Sequence, residues 1–332
     1  MNDNDYQDIP VLLIVFNRPE MTARVMDALR IVKPKRLLVA ADAPRASRPQ
    51  EARLCAGVRE VIERLCDWPC EVQWKCSDKN LGCKYGPATA IAWGLAQYEE
   101  IVILEDDCVP HPDFFVFVRG MLDRYRDDPR VMLVSGLNVL RGHCDVPFSY
   151  GFSRYPLTWG WATWRRAWNH FDLDMNDWPS IRDSGLLVDL LGNQREAQYW
   201  TRNLELAMND EIDAWDYQLH LAMWINGMHA IYPAANLVKN IGIEGTHFSS
   251  ARPMHNIPYG VLENPLRHPP IVYRDPAADA IIRQTWYLPS FGQRVRGKVH
   301  RMAKRCLRVG RQPKLAFPHS TQESAGIARQ HV

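Results

Sequence analysis

The stretch Ile101-Val-Ile-Leu-Glu105-Asp106-Asp107 runs from four apolar residues directly into three carboxylates. A short β-branched apolar run bounded by polar residues is typical of a buried strand in a parallel sheet. Ligands of such sheets bind at the carboxyl ends of the strands. Three adjacent acids at that place repel one another unless a cation lies between them, and Mg²⁺ or Mn²⁺ binds carboxylates together with phosphate oxygens. The alternative is a solvated turn or a helix cap, because Asp favours both.

Strand-like and helix-like segments alternate on both sides of this stretch. The predicted strands are 11–16, 36–41, 71–75, 101–104 and 131–135, and the predicted helices are 20–29, 51–66, 87–98 and 112–126. Strands separated by helices of this length imply right-handed βαβ units. The sequence therefore predicts an α/β fold with a mostly parallel sheet flanked by helices.

Length, composition and charge describe an ordinary globular protein. The chain has 332 residues, of which 46% are hydrophobic and 23% charged, and its net charge of +2 does not argue for a nucleic-acid partner. The sequence has no apolar run of the length that a transmembrane helix needs, and its acidic N-terminus is unlike a secretory signal. We therefore expect a cytoplasmic protein with reduced cysteines. A zinc site at Cys66, Cys70, Cys76 and Cys83 lacks a CxxC pair, and buried small apolar residues are the alternative.

Polar residues follow each of the first four predicted strands. They are Asn17 and Arg18 after the first, Asp42 after the second, Asn80 after the third, and Glu105, Asp106 and Asp107 after the fourth. Phe16, the last residue of the first predicted strand, is a further candidate for donor binding. In a parallel sheet all of them meet at one edge. An Asp can accept hydrogen bonds from a base or ribose, Arg18 or Lys84 can meet phosphate, and the acids can hold a metal. Together they predict a pocket for a nucleoside diphosphate with its metal, although each alone is also typical of a cap or turn.

A transfer reaction also needs a group that accepts a proton. Dinucleotide-binding, P-loop, HExxH and GxSxG motifs are absent, so a carboxylate is the simplest base. Asp213 and Asp216 in Ile212-Asp-Ala-Trp-Asp-Tyr217 precede a predicted helix at 218–225. Asp213 is equally suited to cap that helix. Asp216, beside Trp215, is the better candidate because partial desolvation would raise its pKa.

Tryptophans are dense after about residue 146, where the pattern changes. Trp161, Trp164 and Trp168 have the spacing of one helix face, and a helical stripe of this kind is typical of a core. Trp159 and Trp161 flank Gly160 in a predicted loop. We expect these two side chains to contact a ligand by stacking on a sugar ring.

Two segments resemble a known family. Ile103-Leu-Glu-Asp-Asp-Cys-Val-Pro-His-Pro-Asp-Phe-Phe115 resembles the metal motif of the GT-A glycosyltransferases related to N-acetylglucosaminyltransferase I. Ser153-Arg-Tyr-Pro-Leu-Thr-Trp-Gly-Trp-Ala-Thr-Trp-Arg-Arg-Ala-Trp168 is similar to a stretch in bacterial glycosyltransferases sometimes labelled hemolysin-like. The resemblance covers roughly residues 9–250.

The resemblance implies a GT-A type, Rossmann-like fold and a metal-dependent, inverting sugar transfer. Asp107 would bind Mn²⁺ or Mg²⁺, while Asp106 and Glu105 would face the ribose, uracil or sugar of a UDP-sugar. Asp42 would lie near the base, and Asp216 matches the family's catalytic base. The segment from Gly242 to Phe248 matches a late loop, in which His247 is a second metal ligand or a structural or donor-loop histidine. The acceptor side departs most from the eukaryotic family.

The predicted organisation is a glycosyltransferase domain at 9–290 and a tail at 291–332. The domain divides into a nucleotide-sugar half at 9–145 and an acceptor half at 146–290. The tail has nine Lys and Arg residues between 294 and 314, and its apolar residues follow helical spacing. A basic amphipathic helix of this kind is typical of a membrane surface. It would suit a glycan or lipid-linked acceptor at the inner face of the plasma membrane; a disordered tail and a helix packed on the domain are the alternatives.

Two other functions compete with the transferase. A sugar-phosphate nucleotidyltransferase should carry a glycine-rich, basic loop after the first strand, and Asn17-Arg18-Pro19 does not supply it. A non-catalytic carbohydrate- or nucleic-acid-binding protein would use the tryptophans and the tail, but that reading leaves the acidic triplet and Asp216 without a role.

Overall fold

The central feature is an eight-stranded, mostly parallel sheet. The computed structural model describes residues 5–140, 147–242, 257–263 and 265–288, and these belong to one compact unit that runs to Leu288. The strands of this sheet are β1 (Val11–Val15), β2 (Arg36–Ala41), β3 (Glu71–Cys76), β4 (Glu100–Glu105), β6 (Val131–Ser135), β7 (Tyr150–Ser153), β8 (Trp161–Trp164) and β9 (His229–Pro233). A separate pair contains β5 (Cys108–Pro110) and β10 (Val238–Asn240).

The strand order is β3-β2-β1-β4-β8-β6-β9-β7. The first four strands are parallel, and Ile14 of β1 lies opposite Glu105 of β4. β8 and β7 run antiparallel to their neighbours. Between their terminal residues, β1, β2 and β4 are apolar, as expected where helices cover both faces of a parallel sheet. The predicted α/β fold with a mostly parallel sheet is confirmed.

Ten α-helices flank the sheet within the described ranges. They are α1 (Pro19–Val32), α2 (Glu51–Leu65), α3 (Gly82–Gln97), α4 (Pro112–Arg124), α5 (Arg165–Trp168), α6 (Trp178–Ser184), α7 (Leu186–Leu191), α8 (Gln194–Met208), α9 (Asp216–Ile225) and α10 (Pro276–Ile282). A π-helical turn at Arg283–Tyr287 follows α10. In the described parts of the chain, every helix is too short or too polar to cross a bilayer.

The tryptophan-rich segment differs from its prediction. Trp161 to Trp164 form β8 in the middle of the sheet, and only Arg165–Trp168 is helical. Hydrogen bonds from β4 and β6 on both sides hold the segment extended, which overrides its helical spacing. Trp164 and Trp168 are buried as predicted, but the loop predicted for Trp161 is wrong. Its side chain is 1% exposed and stacks on Trp215 at 5.6 Å between ring centroids.

The start of α3 also differs from its prediction. The helix begins at Gly82 rather than at Pro87, although proline favours a first turn. Two carboxylates distant in sequence accept its first N–H groups: Asp42 accepts from Gly82, and Asp213 accepts from Cys83 and Lys84. Asp213 was a candidate cap for the helix that follows it, and instead it caps α3.

Candidate functional site

A cavity of about 190 Å³ lies at the carboxyl ends of β1, β2 and β4, beside the first turns of α3. Its lining includes six residues of the predicted donor set, Phe16, Arg18, Asp42, Asn80, Glu105 and Asp106. The parallel sheet brings them together because each follows or ends a strand at the same edge. Asn17 lies in the turn between β1 and α1, partly exposed, and is not part of the lining.

Two acids of the triplet, Asp106 and Asp107, contact the guanidinium of Arg18. Nη1 of Arg18 lies 3.0 Å from Oδ1 of Asp106 and 2.9 Å from Oδ2 of Asp107. The backbone N–H of Phe16 donates to Oδ2 of Asp106 over 3.3 Å. Asp106 and Asp107 are only 5% and 7% exposed, so this turn is not solvated. The two carboxylates therefore converge on one position, and the guanidinium of Arg18 occupies it.

Negative charge exceeds positive charge at this position. Burial and, after it, the neighbouring carboxylates of Asp107, Asp106 and Asp216 together raise the pKa of Glu105 to about 8. Burial also raises the pKa of Asp106 to about 6, against the opposing effect of Arg18. The charges of three carboxylates, Glu105, Asp106 and Asp107, thus act on one guanidinium, and a divalent cation would be attracted to them.

The charge of Asp216 contributes to the raised pKa of Glu105. It is the first residue of α9. Nδ1 of His220 lies 2.7 Å from the Asp216 carbonyl and must donate to it, so Nε2 accepts from the hydroxyl of Tyr287, also at 2.7 Å. Burial lowers the pKa of His220 to about 3, which keeps the ring neutral. This chain of hydrogen bonds fixes the turn that carries Asp216.

Asp42 and Asn80 hold the start of α3 rather than pointing freely into the cavity. Asp42 accepts from the backbone N–H groups of Ala43, Leu81 and Gly82. The Asn80 amide donates to Asp42 over 3.0 Å and to the Ala43 carbonyl over 2.7 Å. Burial raises the pKa of Asp42 although these N–H groups oppose the shift.

Gly82 is required at this helix start. Its φ of +72° lies in the left-handed region, and a Cβ there would approach Oδ2 of Asp213 to 2.7 Å.

Lys84 points away from the cavity, contrary to its prediction as a phosphate ligand. Its side chain is buried, and Nζ donates to the Ala207 carbonyl and pairs with Asp210. Two other cations line the cavity instead, Arg45 and Lys75. The Arg45 guanidinium lies 5.4 Å from the centroid of the Phe16 ring. Neither was predicted from the sequence, although Arg45 follows the end of β2 closely and Lys75 belongs to β3.

The predicted acceptor residues have separate environments. Trp159 is partly buried and meets Trp286 edge-on at 5.0 Å, whereas Trp161 belongs to the core described above. The predicted metal ligand His247 and the basic tail lie outside the described residues. Metal binding by His247 and membrane binding by the tail therefore remain predictions.

The acids of the site fit a metal ion that is bound together with a nucleotide. Among the described residues, no three His, Cys, Asp or Glu side chains form a cage for a metal. Mg²⁺ and Mn²⁺ bound with a nucleotide do not need such a cage, because one or two carboxylates and the phosphates supply the ligands. Asp106 and Asp107, which share one cation position, fit that requirement.

Comparisons with known proteins identify no family. No family model and no curated protein matches the sequence. HddC from Yersinia pseudotuberculosis, solved with GMP-PN, is 11% identical, with a TM-score of 0.26 over 44% of this chain and 60% of that one. UDP-glucose pyrophosphorylase, solved with UDP-glucose, is 9% identical, with a TM-score of 0.25 over 44% and 63%.

A third structure is 4-diphosphocytidyl-2C-methyl-D-erythritolsynthase from Anaerococcus prevotii, at 7% identity and a TM-score of 0.26 over 48% of this chain and 72% of that one. This chain thus spans less than two thirds of the first two structures. Scores this low lie below those of a shared fold, so the functional argument rests on the site itself.

Proposed function

We propose that the protein is a metal-dependent glycosyltransferase of the GT-A type, which moves a sugar from a nucleotide-sugar, most simply UDP-linked, to a hydroxyl acceptor. The observation that carries the proposal is the convergence of two buried carboxylates on the Arg18 cation at the edge of the cavity. Asp216 is a further carboxylate, and its charge contributes to the raised pKa of Glu105, the third acid of the triplet. In this proposal the carboxylates would supply the cation position, the cavity would bind the donor, and Asp216 would be the base.

The residues would divide the work as follows. Asp107 and Asp106 would hold Mn²⁺ or Mg²⁺, which supplies charge neutralisation for the departing diphosphate. Arg18, once released from the carboxylates, can bind phosphate oxygens as a bidentate donor. The donor nucleoside would occupy the cavity between Phe16, Asp42 and Asn80.

Asp216 would accept the proton of the acceptor hydroxyl as its oxygen attacks the anomeric carbon. The bond between that carbon and the diphosphate breaks in the same step, and the nucleoside diphosphate leaves with the electron pair. A single in-line displacement inverts the anomeric centre and needs no covalent nucleophile. The neutral His220 and Tyr287 position the turn of Asp216 without taking part in proton transfer.

A sugar-phosphate nucleotidyltransferase is less well supported by this site. β1 ends at Val15 and α1 begins at Pro19, which leaves a connection of three residues. Such a connection contains no glycine-rich loop with backbone N–H groups for a triphosphate. Pyrophosphate release from UTP and a sugar 1-phosphate would be the signature of that activity.

The decisive experiment compares UDP binding and donor turnover in three variants. Asp107→Ala should lose the Mn²⁺-dependent part of UDP binding in calorimetry and lose donor turnover with it. Asp216→Asn should keep Mn²⁺-dependent UDP binding and lose turnover by about 10²- to 10⁴-fold, the usual contribution of a general base. Asp128→Ala, a surface acid paired with Arg130, is the control and should change neither. If the wild-type protein binds UDP with the same affinity with and without Mn²⁺, the proposal is contradicted.

The acceptor and the membrane are proposed from the sequence. We propose a glycan or lipid-linked acceptor in bacterial surface glycan or glycolipid synthesis, with the tail at an anionic bilayer. Co-sedimentation of the full chain with phosphatidylglycerol vesicles should weaken when Arg301, Lys304, Arg305 and Arg308 are changed to Glu. Equal co-sedimentation of the two proteins would refute the role of the tail.

A further inference from the structure

Asn240 lies against the acidic triplet from a strand outside the main sheet. It ends β10, which pairs antiparallel with β5, and it lies opposite Cys108, the residue that follows Asp107. Its side chain is 8% exposed. A polar side chain buried to this degree needs hydrogen-bond partners, and those partners show what it does.

The partners of Asn240 fix the orientation of its amide. The backbone N–H of Gly242 donates to Oδ1 of Asn240 over 2.9 Å, so Oδ1 must face Gly242. Nδ2 then faces the opposite way and donates to Oδ1 of Asp107 over 3.1 Å. The amide is therefore held in one orientation, with its N–H group directed at Oδ1 of Asp107.

The two residues after Asn240 also lie against Asp107. The backbone N–H of Ile241 donates to the Asp107 carbonyl over 2.8 Å. A Cβ at Gly242 would lie 2.2 Å from Oδ2 of Asp107. A side chain at position 242 would thus displace the carboxylate, and glycine leaves it room.

We propose that Asn240 is a positioning residue that holds Asp107 for metal binding; the inference rests on the proposed function. The two oxygens of Asp107 have different partners: Oδ1 receives the Asn240 amide, and Oδ2 faces the position shared with Asp106 and Arg18. Asn240 therefore keeps Oδ2 turned to the cation. Outer hydrogen bonds of this kind orient metal ligands, and their loss typically weakens metal binding about 10- to 100-fold.

Asn236 offers a matched control. It is 5% exposed and precedes the same strand, and it also uses both ends of its amide. Its Nδ2 donates to the carbonyls of Val238 and Ile257, and its Oδ1 accepts from the N–H of Asn138. These partners are all backbone atoms, and the acids of the site are not among them.

The test measures Mn²⁺ affinity by electron paramagnetic resonance in the presence of UDP, with the full chain. Asn240→Ala should weaken Mn²⁺ binding about 10- to 100-fold. UDP affinity in EDTA should stay at the wild-type value. Asn236→Ala should leave the Mn²⁺ affinity unchanged. In urea unfolding it should lower the free energy of unfolding by about as much as Asn240→Ala does. Asn240→Leu keeps the side-chain volume and should repeat the loss of Mn²⁺ affinity if the alanine variant folds poorly.

Each remaining outcome decides against a specific claim. Unchanged Mn²⁺ affinity in a folded Asn240 variant overturns the positioning role while the proposed function stands. Equal losses of Mn²⁺ affinity in the Asn240 and Asn236 variants assign Asn240 a general structural role and also overturn the inference. Absence of Mn²⁺ binding by the wild-type protein with UDP overturns the proposed function, and the inference with it.

Discussion

Replacing Arg18 by Gln should make the metal-free protein less stable. It should also increase the stabilisation that the protein gains from Mn²⁺. Arg18 is the cation that Asp106 and Asp107 share, with N–O distances of 3.0 and 2.9 Å. With the charge centres about 4 Å apart and an effective dielectric constant of about 20, each attraction amounts to about 4 kcal/mol before desolvation. Desolvation offsets much of this, and the Arg18 side chain is 24% exposed.

We therefore expect the substitution to lower the free energy of unfolding by about 2–4 kcal/mol in EDTA at pH 8, near the lower end for breaking a buried pair. The loss should shrink at pH 5, because the carboxylates can then take up protons. Mn²⁺ should stabilise the variant more than the wild-type protein, since no guanidinium has to leave the carboxylates. Urea unfolding followed by tryptophan fluorescence, with and without Mn²⁺, measures these differences.

Arg45→Gln is the matched control for this experiment. Arg45 also lines the cavity and pairs with a buried acid, Glu51, but it has no contact with the triplet among its hydrogen bonds and ion pairs. The Arg45→Gln variant should be less stable than the wild-type protein, and Mn²⁺ should stabilise the two proteins equally. The reasoning is refuted if Arg18→Gln is as stable as the wild-type protein in EDTA, or if Mn²⁺ stabilises both arginine variants equally.

Three further predictions concern single residues. The pKa of Glu105 is raised from 4.5 to about 8 in the folded protein, so the native state holds the proton more tightly than the unfolded chain. The metal-free free energy of unfolding should then fall as the pH rises from 5 to 8, by at most about 1.4 kcal/mol per pH unit for this group, and Glu105→Gln should flatten the urea-derived profile. Asp213→Ala removes the acceptor for two N–H groups of α3 and should cost about 0.5–2 kcal/mol in urea unfolding; a loss below that range would mean that water replaces the cap. Lys84→Met should leave UDP affinity unchanged in calorimetry, because Nζ binds Asp210, and a tenfold loss would restore Lys84 as a phosphate ligand.

The sheet and the gathering of polar residues at its edge could be predicted from local sequence. The predicted strand at 131–135 coincides with β6, and those at 36–41 and 71–75 agree with β2 and β3 to within a residue. Apolar run length and helical spacing are local properties, and alternating elements of this size leave few topologies. The positions of Asp42, Asn80 and Glu105 near one cavity follow from that topology alone.

The partners of each side chain were decided only by the tertiary structure. Asp213 caps a helix about 130 residues earlier in the chain, Lys84 turns to Asp210, and Trp161 enters the sheet through pairing with β4 and β6. Arg18 bridges two of the acids, and Asn240 reaches Asp107 from another strand. Spacing along the chain encodes which faces of an element are apolar. Contacts between side chains about 90 to 130 residues apart depend on strand register and on the path of the loops, and neither is written in any short segment.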